Sequence, residues 1–356
     1  MAYTTIDNPE LYFQVVTWTG NATDDRSITL PGDTDMQPDL VWAKERSSTS
    51  GHIIVDAVRG ATKFIQSHNT TAEDTNADIV QSFETDGFEI GTHGAINEDT
   101  ETYVAWCWKA GTSVSGDTTG SGTAKTYTGS VNTTSGISII NFVGNGTGGH
   151  TIPHHLGVAP RMILVKNRAS GSTSWQTYHY GLDSGAGTNE IFLDLTNATN
   201  GSAGAWNNTV ATSTVVTKGD GSYGNEDDSN HIMYSFADVQ GYSKVGGSYV
   251  GNGNSSGSTI WCGFSPAWVM IKQSSKAGEG WHIFDNKREG YNVDNDPLVA
   301  NSSNAEGTSD MIDLLSNGFK LRTTSEAVNE SGETYIYMAF AEAPFVNSSG
   351  VPCNAR

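Results

Sequence analysis

The sequence predicts an all-β protein made of tandem antiparallel β-sandwiches, and three observations support this fold class. The chain has 356 residues, of which 41 are glycine and only 16% are charged. This composition favours many turns and short strands over long helices, and no sustained amphipathic run with helical period occurs. Short apolar runs bounded by proline and polar turns recur instead, such as "PRMILVKNR" from Pro160. Such runs predict strands that are buried on both faces.

Three landmarks occur three times each, in the same order, which indicates an internal repeat. They are an aromatic residue two positions before Gly-Asn, a proline that opens an apolar run ending in lysine, and an Asn-Glu pair before an aromatic-rich strand. The first falls at Trp18, Phe142 and Tyr249, the second at Pro38, Pro160 and Pro266, and the third at Asn97, Asn225 and Asn329. The spacing is typical of domains of ~100 residues, for which we expect a jelly-roll or lectin-like topology.

The landmarks divide the chain into repeat one (1–111), repeat two (137–241) and repeat three (242–356, with a C-terminal tail). Residues 112–136 are dominated by Gly, Ser and Thr, which predicts a flexible or extended linker. Repeats two and three have no such gap between them. We therefore expect these two to form a rigid pair and repeat one to be able to move. Within repeats one and three, Asp86-Gly87 and Asn317-Gly318 predict hairpin turns.

The stretch "YVAWCWKAG" from Tyr103 allows three interpretations: a reactive thiol, an aromatic sugar platform or a buried strand. Repeats two and three place Ser235 and Ala339 at the position of Cys107. A position that accepts Cys, Ser or Ala needs a small side chain, so we expect buried packing for this strand. The chain has three cysteines, and an odd, sparse count disfavours a disulfide framework and fits assembly in a reducing cytoplasm.

Charge and hydropathy limit the partners. The net charge is −20, from 19 basic and 39 acidic residues. Nucleic-acid binding requires clustered basic residues, so we expect no nucleic-acid partner. The N-terminus shows no signal-peptide pattern, and no apolar run approaches the ~20 residues of a membrane helix. We therefore expect no membrane insertion.

Three polar clusters could carry chemistry, and each has a simpler interpretation as a solvated loop or turn. A metal site could use His150, His154 and His155, although soft or imidazole ligands usually follow set spacings. A glycosidase pair could come from Glu84, Asp86 and Glu89, since that chemistry needs two opposed carboxylates. The acidic loops 219–230 and 292–297 could hold calcium. No nucleotide-binding or hydrolase motif occurs, so we predict no catalytic, cofactor-binding or metal-binding residues.

Aromatic side chains beside Gly/Ser-rich turns are candidates for stacking on a ligand such as a sugar ring. Trp206 is the first candidate, because it lies in an insertion rich in Gly and Asn. Trp175 and Tyr178 are further candidates. Trp175 and Trp281 each follow the repeat lysine by nine residues, which favours a structural role for them.

Several motifs together resemble a domain family from tail-fibre-like and other virion proteins of marine bacteriophages. They are "MAYTTIDNPELYFQ", "PDLVWAKER", "DAVRGATK", "DTETYVAWCWKAG", "LGVAPRMILVKNR", "SNGFKLR" and "TYIYMAFAEAPF". The resemblance covers nearly the whole chain and implies a phage structural protein with no catalytic residues to inherit.

The resemblance and the composition together predict a non-enzymatic virion component, most simply a tail-fibre or other surface-appendage protein assembled in the bacterial cytoplasm. The expected partners are other virion proteins, further copies of the chain (a trimer by analogy alone) and a host-surface glycan or protein. Two alternatives stay open. One is a capsid decoration or connector that contacts only virion proteins, and the other is a polysaccharide depolymerase that uses the Glu84, Asp86 and Glu89 cluster.

Overall fold

The computed structural model describes residues 2–201, 203–288 and 296–353, and its antiparallel sheets confirm the all-β prediction. The strands of repeat one are β1 (Phe13–Thr19), β2 (Arg26–Ile28), β3 (Leu40–Glu45), β4 (Ile53–Asp56), β5 (Lys63–Phe64), β6 (Asp74–Thr75), β7 (Val80–Glu84), β8 (Gly87–Ile90) and β9 (Thr102–Trp108).

The next eleven strands belong to residues 112–241. They are β10 (Thr112–Asp117), β11 (Thr119–Gly120), β12 (Thr126–Asn132), β13 (Ile137–Val143), β14 (His150–Pro153), β15 (Met162–Asn167), β16 (Gln176–His179), β17 (Asn189–Phe192), β18 (Asn200–Gly201), β19 (Val215–Lys218) and β20 (Asn230–Phe236).

Repeat three contains β21 (Ser243–Val250), β22 (Thr259–Trp261), β23 (Phe264–Gln273), β24 (Trp281–Asp285), β25 (Leu298–Val299), β26 (Ile312–Leu315), β27 (Gly318–Leu321) and β28 (Thr334–Pro344). Helical structure is confined to single turns in the described part of the chain. These are the α-helices α1 (Gly94–Asn97), α2 (Ala203–Trp206) and α3 (Ser222–Asn225), and the 3-10 turns Pro9–Leu11 and Tyr180–Leu182.

One strand order appears in three sheets. It is β1-β9-β3-β4 in repeat one, β13-β20-β15-β16 in repeat two and β21-β28-β23-β24 in repeat three. A smaller three-stranded sheet packs on one face of each large sheet: β2-β8-β7, β11-β14-β19 and β22-β27-β26 respectively. Each of these pairs encloses its own apolar core. Each repeat is therefore a two-layer antiparallel sandwich.

The prediction of a flexible linker over residues 112–136 is wrong. β10 and β12 extend the large sheet of repeat two, and β11 is an edge strand of its small sheet. In β12, Tyr127, Gly129 and Val131 are buried while Thr126 and Thr128 are exposed. This alternation with period two is the strand pattern, which the high Gly, Ser and Thr content of the segment masks.

The other faces of the three large sheets meet in one central core. Trp108, Phe236 and Phe340, which occupy equivalent positions in the three repeats, form a triangle with ring centroids 5.6 to 6.3 Å apart. The cavity between the sheets is only about 10 Å³, at the lower limit of the space that one water molecule requires. The expectation that repeat one moves against a rigid pair of repeats two and three is therefore wrong, because all three repeats share this core.

Alternate residues of β9 explain why the aromatic strand is buried on both sides. Trp106 and Trp108 face the central core, whereas Tyr103 and Cys107 face the core of repeat one itself. The prediction of buried packing is confirmed. The tryptophans also join the repeats to one another, because they face the core that all three share.

The repeated Asn of the Asn-Glu pair is buried, and its side-chain amide bonds backbone groups of two separate segments; we call this arrangement the Asn clamp. Asn97 accepts from the backbone N–H of Asn21 at 3.1 Å and donates to the carbonyls of Gly91 and Thr23, both at 2.9 Å. Asn225 and Asn329 make the corresponding bonds in the other repeats. These bonds join the Gly-Asn landmark to the Asn-Glu landmark, so the two motifs recur together because each holds the other.

Ring nitrogens close the three junctions between repeats in a cyclic pattern. Trp175 Nε1 donates to the carbonyl of Gln66 at 2.8 Å, and Trp281 Nε1 donates to the carbonyl of Phe192 at 2.9 Å. At the equivalent position in repeat one, His52 Nε2 bonds the carbonyl of Val299 at 3.0 Å. His52 Nδ1 accepts from Trp42 Nε1 at 2.9 Å, so the proton for this bond lies on Nε2.

Two of the three junctions also carry largely buried ion pairs, in which Glu73 and Glu306 each expose 13% of their side chains. Glu73 of repeat one binds Arg59 at 3.2 Å and Arg168 of repeat two at 2.6 Å. Glu306 of repeat three likewise binds Arg288 at 2.7 Å and Arg46 of repeat one at 2.9 Å.

The junction between repeats two and three has a neutral substitute for these ion pairs. There Thr199 replaces the glutamate, and its N–H and hydroxyl donate to the carbonyl of Ser274 at 2.7 and 2.8 Å. Repeat one is thus joined by charge to both of its neighbours.

Candidate functional site

The three aromatic residues predicted to stack on a ligand are buried, so that prediction is wrong. Trp175, Tyr178 and Trp206 each expose 2% of their surface or less. Trp206 packs edge-on against Tyr178 at 5.8 Å, and the ammonium of Lys218 lies 3.7 Å from its ring centroid. Trp175 stacks on Tyr234, and its indole N–H donates to the carbonyl of Gln66 in repeat one. With these contacts and 2% exposure or less, none of the three rings has a free face for a sugar.

The carboxylates considered for glycoside hydrolysis do not face one another across a cleft. Glu84 accepts from the hydroxyl of Ser27 at 2.9 Å, and Asp86 accepts from the backbone N–H of Met36 at 3.2 Å. Glu84 and Glu89 are on the same face of the β7–β8 hairpin, and Asp86 is in its turn. Glu84 and Asp86 therefore bind neighbouring segments of the same repeat.

Each of the three neighbouring histidines bonds a protein group. His150 bonds Asn225 Oδ1 at 2.7 Å and Thr118 Oγ1 at 2.6 Å, His154 bonds the carbonyl of Thr212 at 3.1 Å, and His155 bonds the hydroxyl of Tyr127 at 2.8 Å. Across residues 2–201, 203–288 and 296–353, no three His, Cys, Asp or Glu side chains form a group that could hold a metal ion.

The calcium prediction for the two acidic loops can be compared with the structure only at the first loop. In the loop 219–230, Asp227 and Asp228 contact the ammonium of Lys125. In the segment 292–297, residues 292–295 lie outside the described residues.

Burial controls the ionisable groups of the scaffold. It raises the pKa of the Cys107 thiol far above its usual range, so this sulfur is not a thiolate. It lowers the pKa values of the repeat lysines Lys44, Lys166 and Lys272 to about 8. The ammonium of Lys166 lies 3.0 to 3.1 Å from four backbone carbonyls, those of Thr70, Asn167, Ser170 and Thr173, which share its three N–H donors. Lys166 therefore holds the loop that contains Ser170 and Thr173 in place inside the protein.

One exposed aromatic side chain was not singled out from the sequence. All nine tryptophans are in the described part of the chain; eight are buried, while Trp261 exposes 67% of its surface. Trp261 ends β22, where the preceding Ile260 points into the core of repeat three. The alternation of the strand places the indole on the outer face of the small sheet β22-β27-β26. A comparison of the repeats could have found it. At the position of Trp261, repeats one and two have Thr29 and Pro153, so the fold does not require an aromatic side chain there.

The sheet around Trp261 forms a shallow platform. Trp261 is opposite Gly318, and Gly318 is opposite the half-buried Leu315. A Cβ at Gly318 would lie 1.9 Å from the carbonyl oxygen of Ile260, so the backbone requires glycine here. As a result, no side chain stands between the indole and Leu315.

A polar row runs beside this apolar row. It consists of Thr259, Lys320 and Asp313, two residues further along each strand. Lys320 Nζ donates to the carbonyl of Gly257 at 2.7 Å, and Arg322 pairs with Asp313 at 3.3 Å. The platform therefore combines one aromatic face with a row of charged and hydroxyl groups two residues, or ~6.7 Å, further along the strands.

The chain is an all-β protein of three antiparallel sandwiches around one central core. Of its nine tryptophans, all of which are described, one is exposed. The chain belongs to the family described as Domain of unknown function (DUF7483), whose model matches residues 8–344 in one span. This span includes all three sandwiches. No curated protein and no solved structure matches the chain, and the jelly-roll or lectin-like topology stays a prediction. Within the described residues, no helix has the length and apolar character needed to cross a bilayer.

Proposed function

We propose that the chain is a non-enzymatic structural component of a bacteriophage virion, in a tail fibre or another surface appendage. The shared central core is the observation that carries this proposal. A protein on the outside of a particle must persist without being replaced, so its lifetime depends on slow unfolding. A core to which all three sandwiches contribute makes the loss of any one sandwich costly for the other two.

The sequence resemblance to virion proteins supports the same function, and the net charge of −20 agrees with a partner other than DNA. The central core also bears on self-association. The apolar faces of the large sheets are covered within one chain, so a homo-oligomer, trimeric or otherwise, would use other surfaces.

Mass spectrometry of purified particles and electron microscopy with a gold-labelled antibody against the chain test this proposal. We expect the chain in every particle, with label on the appendages. Label on the capsid shell would favour the decoration or connector alternative. Absence of the chain from purified particles would contradict a virion function altogether.

A further inference from the structure

Trp261 is not explained by the scaffold. Features that the fold requires recur in all three repeats, as the Asn clamp and the central aromatic triangle do. The exposed indole occurs only in repeat three, and its counterparts Thr29 and Pro153 show that the strand folds without it. Contiguous exposed apolar surface is more informative than a single exposed side chain, and here the indole, Gly318 and the half-buried Leu315 form one row on the same face of the sheet.

The dimensions of the platform suit a small ring-shaped ligand. Adjacent strands are separated by ~4.8 Å, and residues two apart on a strand by ~6.7 Å. The strands of Trp261 and Leu315, on either side of Gly318, are thus two spacings (~9.6 Å) apart, with Lys320 and Asp313 two residues along the strands. A ring on the indole would have hydrogen-bonding groups at its edge.

The exposed apolar area is too small for a stable protein interface. An aromatic side chain contributes at most ~250 Å², whereas each partner in a standard interface buries ~800 Å². A nucleobase could also stack on an indole, but the net charge of −20 repels its phosphates. A saccharide fits both properties, since its C–H face is apolar and its hydroxyls form hydrogen bonds.

We propose that the outer face of the β22-β27-β26 sheet binds a saccharide, with one sugar ring stacked on the indole of Trp261 and its hydroxyls bonded by Lys320 and Asp313. This inference rests on the proposed function only for the source of the saccharide, which is then the host surface. The binding chemistry itself is a property of the isolated chain.

Acrylamide quenching of tryptophan fluorescence tests the site directly, because Trp261 is the one strongly exposed fluorophore among the nine tryptophans, all of which are described. The probes are oligomers of neutral hexose, of N-acetylhexosamine and of uronate. We expect at least one of the three classes to protect the quenchable emission. We also expect this emission to be missing in the Trp261→Ala variant.

Affinity for the protecting oligomer should fall by about tenfold or more in Trp261→Ala, since the loss of one aromatic stacking contact is of that size. Trp261→Phe should restore part of it. Val250→Ala is the matched control, because Val250 is an exposed apolar residue of the same repeat, with 57% of its surface accessible. The thermal midpoints of all three variants should stay near that of the wild type, since both positions are exposed.

The saccharide proposal is overturned if none of the three oligomer classes protects Trp261, or if Trp261→Ala binds as the wild type does. Particles that lose adsorption with Trp261→Ala while all oligomers fail would indicate a protein receptor instead, which also overturns it. If the chain is absent from virions but Trp261 still binds an oligomer, the proposed function fails and this inference stands.

Discussion

At the position shared by Trp106, Tyr234 and Met338, each side chain changes together with its partner on the neighbouring repeat. Trp106 Nε1 donates to Asp285 Oδ2 at 2.9 Å, and the Tyr234 hydroxyl donates to Asp56 Oδ2 at 2.6 Å. Met338 has no proton to donate, and the residue equivalent to these aspartates is His179. Where methionine replaces the donor, histidine replaces the aspartate. No buried carboxylate is therefore left without this hydrogen bond.

The hydroxyl of Tyr234 should therefore contribute measurably to stability. Tyr234→Phe leaves Asp56 paired with Arg59 but removes one donor from a buried carboxylate. We expect a loss of about 1.5–3 kcal/mol in the free energy of unfolding, the range for hydrogen bonds to charged groups. Urea unfolding at neutral pH measures it.

Tyr178→Phe is the matched control for that experiment. Tyr178 is also a buried tyrosine of repeat two, but its hydroxyl has no hydrogen-bond partner among the described residues. Its removal should cost little or should stabilise the protein. Equal losses in the two variants would show that the bond between Tyr234 and Asp56 contributes nothing to stability.

At the scale of the element, the two predicted hairpins form with two residues between the strands. In each, the glycine is the first residue of the second strand rather than part of the turn: Gly87 opposite Glu84, and Gly318 opposite Leu315. Gly87 has a φ of 115°, and a Cβ there would lie 2.0 Å from the carbonyl oxygen of Ile28. Two separate restrictions, the dihedral angle and the contact, thus act on one residue.

Comparison of Gly87→Ala with Gly60→Ala separates these two restrictions. Gly60 has a φ of 97°, and no atom lies within 4 Å of the position that a Cβ would take there. Gly60→Ala should cost about 1–2 kcal/mol from the dihedral angle alone. Gly87→Ala should cost more, because β2 must also move away from β8. Thermal or urea unfolding measures both, and a smaller loss for Gly87→Ala would contradict the close contact.

Local pattern revealed some elements and concealed others. The strands after Pro38 and Pro160 were predictable because apolar runs bounded by turns have few alternatives. The strands in 112–136 were missed because the exposed Thr126 and Thr128 and the small buried Gly129 and Ser130 hide the alternation of Tyr127 and Val131. The ligand candidates failed because sequence cannot show whether an indole is packed against other elements, as Trp206 is by Tyr178 and Lys218, or stays exposed, as Trp261 does.

For the whole molecule, the shared core predicts that the three sandwiches unfold together. Separation of any one would expose the aromatic triangle of Trp108, Phe236 and Phe340. We expect one calorimetric transition whose calorimetric and van't Hoff enthalpies agree. Trp108→Ala should lower the whole transition by about 3–5 kcal/mol in stability without splitting it. Two resolved transitions in the wild type would contradict a common core.

Acid should destabilise the protein through its buried imidazoles. Burial lowers the pKa values of His154, His179 and His282 to about 4 and that of His231 to about 3. The unfolded chain therefore binds more protons than the folded chain as the pH falls below about 6.5. Stability is fully present above that pH and decreases as the pH is lowered towards 4.

His231→Tyr tests this at one position. Tyr103 and Tyr335 occupy the equivalent sites in the other repeats, where each hydroxyl bonds two backbone groups. Between pH 7 and pH 5 the variant should lose about 2 kcal/mol less than the wild type, as measured by urea unfolding at both pH values. His155→Asn removes an exposed imidazole as the control. An identical loss in His231→Tyr and wild type would contradict a neutral buried His231.

The scaffold is repeated three times, but the exposed indole of Trp261 occurs once, and this limits the number of indole sites in each chain to one. Each chain offers one indole rather than three, so under the proposed binding mode it would engage one sugar ring at a time. Strong attachment to a surface would then depend on how many chains a particle displays and how far apart they are, because linked weak contacts gain strength from their effective concentration.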